Sequence, residues 1–281
     1  MSKTLGVRLS AAAVALLCAW VAFTQNKQPP APIAIEKVKD NLYVVTGPGG
    51  NVGVEVTDEG VILIDDKYEQ NVAEILEKVK TVTDKPVKYV LSTHHHGDHT
   101  GGNPKLIATA EIIAHKNARI NMMNGKQPAP PRVTFTQETE VFLGGKQAII
   151  RHFGRGHTNG DAAVYFPDLK VVHCGDLFVT GSPIVDYANG ASLKEWPATL
   201  DGILQWDFDI AIPGHGPVST RADLMKFRAT MASIGTRVSG LVRQGKSKDE
   251  VAKTLLDEFK WNMTSGFGQR ALDPMMAEMK N

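Results

Sequence analysis

Cysteine is scarce in this chain: 281 residues carry only Cys18 and Cys174. That excludes a disulfide-stapled scaffold and any zinc site built on four thiolates. Charge of one sign is also missing. Lys and Arg number 31 against 30 Asp and Glu, a formal net charge of +1, which leaves no electrostatic footprint for nucleic acid. Aromatic residues make up 7% and no basic run interleaves with them, so a stacking platform for single strands is not expected either. Internal repeats and low-complexity tracts are absent, which excludes solenoids and arrays. The hydrophobic share of 42% is enough, at this length, for one large core of packed layers.

One long apolar run stands out, Leu9 to Phe23 behind Lys3 and Arg8. It has the length and flanks of a signal-peptide core and is short for a membrane span. Residues 1–24 are therefore read as a signal peptide or an uncleaved anchor, 25–35 as a polar, Pro-rich linker, and 36–281 as a single domain. The protein is expected to be exported, periplasmic or secreted, and to touch a membrane only if that first segment is retained. Loss of Cys18 with the leader would leave Cys174 without a partner for an internal disulfide.

Histidine, by contrast, is concentrated. Of nine, four fall within His94-His95-His96-Gly97-Asp98-His99. The pattern H-x-H-x-D-H mixes imidazole nitrogen with carboxylate oxygen, a donor set that suits zinc, with iron or manganese next. Val87 to Thr93, β-branched and aromatic-rich after a proline, reads as a strand, so the donors begin where a strand ends. His94 and His96 would share one face there, and Asp98 and His99 could curl toward a second point. Three distant segments repeat the design of an apolar run ending in a polar donor beside glycine: His157 in Gly156-His157-Thr158, Asp176 after Cys174-Gly175, and His215 in Gly214-His215-Gly216. Four strand ends carrying donors point to one cleft at a sheet edge.

H-x-H-x-D-H, then G-H-T, then G-D, then P-G-H-G, in that order, resembles the metallo-β-lactamase superfamily over roughly residues 36–220. The resemblance implies an α/β fold, a four-layer αβ/βα sandwich of two mixed β-sheets flanked by helices. It implies that His94, His96 and His157 hold one divalent ion and Asp98, His99 and His215 a second, with Asp176 bridging both and Asp65 bracing the ligand loop from behind. It also implies a hydrolase of small molecules, in which the paired ions generate hydroxide from water and Asp98 orients it. Two departures bear on substrate. The bridging position carries Asp176, where the family's β-lactamases generally place cysteine or serine, and Val179 stands where some of them carry a carboxylate-gripping lysine. An ester, lactone, thioester or amide-type bond is the leading expectation. A β-lactam-hydrolysing enzyme, an iron dioxygenase of sulfur compounds and a non-catalytic metal-binding protein are the alternatives. A Glu in place of His96 would mark the diiron oxygen reductases, and the interval from Asp176 to His215 is too short for the inserted domain of the nucleic-acid-processing branch.

The remaining expectations concern packing. Val72, Ile75, Leu76 and Val79 mark a helix over 68–80, and Arg221 to Val242 and Lys248 to Phe259 read as two more. Ser192 with Glu195 reads as a capping box for a helix that buries Trp196. His173 and Cys174 are expected in the core, His95 turned away from His94 and His96, and His115 at the surface or behind the ligands. His152, five residues before His157, could line the cleft. The stretch from Asn121 to Arg132 reads as an irregular loop whose Met122 and Met123 could wall the cleft. Phe178, Asp186 and Tyr187 are expected to line the pocket.

Overall fold

The structure, a computed structural model, describes residues 32–264 and 266–280. Seven strands form the first sheet in chain order: β1 (Ala34–Lys39), β2 (Leu42–Thr46), β3 (Val52–Val56), β4 (Val61–Ile64), β5 (Val87–Ser92), β6 (Glu111–His115) and β7 (Val133–Phe135). The first four pair antiparallel and the last four parallel. Six more form the second sheet: β8 (Glu138–Leu143), β9 (Lys146–Arg151), β10 (Ala163–Phe166), β11 (Val171–His173), β12 (Ile210–Ile212) and β13 (Ser219–Thr220), of which only β11 and β12 run parallel. Strand β1 already begins within the stretch read as linker. The segment read as signal peptide or anchor lies outside the described residues. Among the described residues no helix is long and apolar enough to cross a membrane.

Strand β4, Val-Ile-Leu-Ile, shows why the chain makes four layers. Its residues are all buried, which an alternating strand in a one-sided sheet would not be. Ile62 and Ile64 point inward and meet Val164, Phe166 and Ile212 of the second sheet. Val61 and Leu63 point outward, under Val72, Ile75 and Val79 of α1 (Val72–Lys80). The second sheet is covered on its outer face in the same way. There Val172, Cys174 and Ala211 lie under Trp196 and Leu200 of α5 (Trp196–Ile203) and Leu224, Met231 and Val238 of α6 (Arg221–Arg243). The expected αβ/βα sandwich of two mixed sheets is the fold observed. Helix α2 (Gly97–Thr100), α3 (Asn103–Leu106) and α4 (Lys116–Asn124) follow the ligand loop, and α7 (Lys248–Phe259) and α8 (Gly266–Glu278) complete the outer layer.

Several local expectations are corrected. The first expected helix opens with a short 3-10 turn at Glu69–Asn71 rather than at Tyr68. Helix α4 runs through Asn124, so the irregular stretch starts only at Gly125, and Met122 is core rather than cleft wall. Ser192 does accept the Glu195 N–H at 3.0 Å, but the Glu195 carboxylate turns to Arg155 instead of closing the box, and α5 starts at Trp196. Helix α8 was not expected from the sequence, since Gly266, Gly268 and Pro274 are poor helix formers.

One buried carboxylate makes stability depend on pH. Glu55 of β3 is 2% exposed and burial pushes its carboxyl up to about 7, with Lys146 opposing. The native state therefore holds a proton that the unfolded chain gives up near the ordinary value, so stability falls as pH rises from about 4.5 through 7 and levels off above. Glu55→Gln should gain about 3 kcal/mol over the wild type between pH 5 and pH 8 in urea denaturation. Parallel stability curves for the two proteins would rule the effect out.

Candidate metal centre

The site sits where strands of both sheets end. After β5, Thr93 to His99 turns through the ligand loop into α2. After β9, the chain reaches His157 through Gly154 and Gly156. After β11 it reaches Asp176, and after β12 His215. Two of the parallel pairs, β4 with β5 and β11 with β12, bring their carboxyl ends to the same edge of the sandwich, the place where α/β sheets gather ligand groups.

The seven donors read from the sequence come together in two groups: His94, His96, His157 and Asp176, and Asp98, His99 and His215. In the first, His157 Nε2 lies 2.8 Å from His96 Nδ1 and 3.5 Å from Asp176 Oδ2. In the second, His215 Nε2 lies 3.2 Å from Asp98 Oδ2 and 3.3 Å from His99 Nε2. Asp176 faces both, because its Oδ1 is 3.2 Å from His99 Nε2 and 3.4 Å from His215 Nε2.

A cation fits this arrangement on tautomer grounds. The ring nitrogen facing away from each group is occupied in four of the five imidazoles. His94 Nδ1 meets Thr93 Oγ1 at 3.1 Å, His96 Nε2 meets Asp186 Oδ2 at 2.9 Å, His99 Nδ1 meets Asp65 Oδ2 at 2.7 Å, and His157 Nδ1 donates to Ile184 O at 2.8 Å. The opposite nitrogens are thereby left with lone pairs aimed inward, the orientation that metal-binding histidines require. His94 Nε2 is fully buried with no protein partner, a cost that coordination would offset.

The electrostatics tell the same story. Burial holds the His94 and His157 imidazoles well below the usual range, His157 at about 4. Burial would do the same to His99 and His215, but the carboxylates outweigh it. Asp176 and Asp65 raise His99 well above the ordinary value, and Asp176 and Asp98 raise His215 to about 9. Burial alone would raise Asp176, yet His99 and His215 hold it well below the carboxylate range. Positive charge is thus demanded at the centre of the second group, where divalent cations supply it more directly than protons.

Behind the donors, Asp65, Asp66 and Lys67 follow β4 in succession, all fully buried. Asp65 and Lys67 have φ of 63° and 58°, left-handed conformations that L residues hold only where the surroundings enforce them. Asp65 accepts from Thr93 N at 2.7 Å and Thr93 Oγ1 at 2.8 Å besides His99, so it braces the ligand loop as expected. Asp66 accepts the Gly102 N–H at 2.8 Å, and burial keeps its carboxyl well above the ordinary value. Lys67 donates to Gly50 O, and burial lowers its ammonium to about 8 against the pull of Asp98 and Asp65. Sequence reading missed Asp66 and Lys67, since a charged triplet after a strand looks like an exposed turn.

The other histidines separate from the donors. His173 is a satisfied core residue bonded to Asn51 O at 3.2 Å. His115 is buried rather than superficial; it caps α4 and stacks on His152 at 4.1 Å between ring centroids. His152 bonds to Asp161 O at 2.7 Å. His95 turns away from its neighbours to a buried place 4.0 Å from Asp186, forming a third, smaller group with His96. Of the expected pocket residues, Phe178 is instead packed in the core against Phe227. Asp186 serves His96, and Tyr187 donates to Glu278 at 2.6 Å. Cys174 is fully buried and burial pushes its thiol up, as suits an inert core residue.

The donors open onto a cavity of about 460 Å³ walled by Tyr68, Val179, Ile184 and Phe267, with Asp98, Asp176, His96 and His215 at its base. Phe267 comes from α8, its ring 6.0 Å from that of His96. Of this wall, the sequence had singled out Val179 but not Ile184 or Phe267.

A family model described as the metallo-beta-lactamase superfamily matches residues 45–215. The metallo-beta-lactamase type 2 of Bacillus cereus is 26% identical over 215 residues, covering 71% of this chain and 82% of that protein. The 2,4-dinitroanisole O-demethylase subunit alpha of a Nocardioides species is 27% identical, over 64% of this chain and 56% of that protein. Among solved structures, a metallo-beta-lactamase from Pontibacter korlensis superposes with a TM-score of 0.65 at 24% identity, covering 72% of this chain and 99% of that one.

Proposed function

The chain belongs to the metallo-beta-lactamase superfamily and is a hydrolase of that class, and from this footing we propose that it is an exported enzyme that uses two divalent ions, zinc foremost, to cleave a small ester, lactone, thioester or amide-type bond. The observation that carries the dinuclear reading is the split of Asp176, with one carboxylate oxygen facing each donor group. His94, His96 and His157 are assigned to one ion, Asp98, His99 and His215 to the other, and Asp176 to both. Ions bound there would lower the pKa of water and polarise the scissile carbonyl. The protein's share is to orient and to exclude. Asp98, at the cavity base and 3.2 Å from His215, orients the attacking water and takes up its proton. Tyr68, Val179, Ile184 and Phe267 exclude solvent from the acyl group.

The wall favours the substrate class. Among the described residues, no Lys or Arg lines the cavity, so a carboxylate on the substrate finds no cationic side chain beyond the ion-binding group itself, and an apolar substituent finds four side chains. The relatives do not narrow this to β-lactams, since one of them is named for O-demethylation. Purified protein loaded with zinc and assayed on neutral aryl esters and lactones beside a chromogenic cephalosporin should show chelator-sensitive turnover, with the cephalosporin at least about tenfold poorer in kcat/KM. Chelator-resistant turnover, or preference for the cephalosporin, would overturn the assignment. Phe267→Ala should raise KM for apolar esters roughly tenfold with kcat nearly unchanged. An equal loss in kcat would show instead that the ring matters to the chemical step. Export is supported by the basic and then apolar start of the sequence and is checked by fractionating cells that express the full chain.

A further inference from the structure

His215 is the most exposed of the five clustered imidazoles, with 39% of its side chain accessible, and it comes from the opposite sheet to Asp98 and His99. Something must set its distance from them. The dipeptide Gly50-Asn51, at the mouth of β3, lies between the two. Gly50 N donates to Asp98 O at 3.0 Å, and the residue packs so closely on His99 that a Cβ there would overlap the ring. Its carbonyl accepts from the buried Lys67 ammonium. Asn51 then reaches across to the other sheet. Its backbone N–H donates to Gly214 O at 2.7 Å, and its side-chain amide donates to Pro213 O at 2.9 Å and Gly216 O at 2.8 Å. These three carbonyls flank His215 on both sides. Asn51 is 4% exposed, so water does not readily replace those bonds.

We propose that Asn51 is a positioning residue for the second donor group, its side-chain amide holding the His215 loop at the separation from Asp98 and His99 that one cation can span. The inference rests on the dinuclear reading above and assigns to the Gly50-Asn51 dipeptide a role in ion affinity that neither its composition nor its place in a turn suggests. The first group, His94, His96 and His157, receives nothing from Asn51, so the effect is confined to one ion. Outer partners of this kind change metal affinity by about 10- to 100-fold.

The test is zinc titration of the full-length, metal-stripped protein against a chromogenic chelator, with urea denaturation of the same samples. The wild type should take up two zinc ions. Asn51→Ala, and Asn51→Leu, which keeps the bulk but cannot donate, should bind the first as the wild type does and the second about 10- to 100-fold more weakly. In a His215→Ala background, Asn51→Ala should cost nothing further, a non-additivity that a general packing role would not give. Asn51→Ser, which keeps a side-chain donor, should weaken the same ion less than Asn51→Ala does and serves if the other Asn51 variants do not fold. An unchanged second affinity, equal loss at both ions, or additivity with His215→Ala would overturn the inference. A wild type that binds fewer than two zinc ions would overturn the dinuclear reading first, and the positioning role with it.

Discussion

Asp98→Ala is expected to lower kcat/KM on the best ester or lactone substrate by about 10³-fold or more, while far-ultraviolet circular dichroism stays that of the wild type. Asp98 is the carboxylate of the second group that also borders the cavity, and its removal takes away a ligand and the acceptor for the water proton together. Several kcal/mol of transition-state stabilisation are at stake, and each 1.4 kcal/mol is a factor of about ten. The fold is not at stake to the same degree, because Asp98 sits on a four-residue helix turn beside the cavity and outside every apolar cluster. His96→Ala should behave alike, its Nδ1 lying 2.8 Å from His157 Nε2 in the other group. Excess chelator should bring the wild type down to the level of either variant. A variant that retains wild-type turnover would refute the paired-ion mechanism.

The second large effect is on Asp65, where folding and metal binding meet. One carboxylate accepts three bonds, from Thr93 N, Thr93 Oγ1 and His99 Nδ1, with no access to solvent. Asp65→Ala leaves those donors buried without an acceptor, at about 3–5 kcal/mol of unfolding free energy. It also frees the His99 ring from its tautomer and orientation, which should weaken the second ion by about 10- to 100-fold. Urea denaturation of the metal-free protein reads the first quantity and zinc competition the second. A loss below about 1 kcal/mol with unchanged zinc affinity would reduce Asp65 to an ordinary turn residue.

These sites differ in how far the sequence disclosed them, and the reason is physical. His94, His96, Asp98 and His99 are adjacent in the chain, and His157, Asp176 and His215 each follow an apolar strand and sit beside glycine, so strand periodicity and loop chemistry mark them one at a time. The sandwich itself was legible only through the family resemblance that those motifs carry, whereas α1, α6 and α7 are marked directly by apolar residues at helical spacing. What could not be read are partners set only through space. Asp186 is separated from His96 by 90 positions, and its role exists only because its loop folds back over the ligand turn. Asn51 is a lone amide in a glycine-rich bend, and its acceptors are 162 and 165 positions away. Lys67 breaks the expectation that a lysine after a strand is solvated, because two left-handed residues turn it inward. Phe267 was hidden because Gly266, Gly268 and Pro274 argue against a helix there.

Each donor group draws on both halves of the sandwich: the loops after β5 give His94, His96, Asp98 and His99, and those of the second sheet give His157, Asp176 and His215. An ion bound there would therefore act as a rivet across the seam between the layers. Because only the assembled seam offers a full set of donors, every tenfold of zinc above its dissociation constant adds about 1.4 kcal/mol to the cost of parting the halves. The supply of zinc would thus act as a checkpoint on survival as well as on turnover. Limited proteolysis with and without added zinc would read the difference, the loaded chain being cut more slowly along that edge.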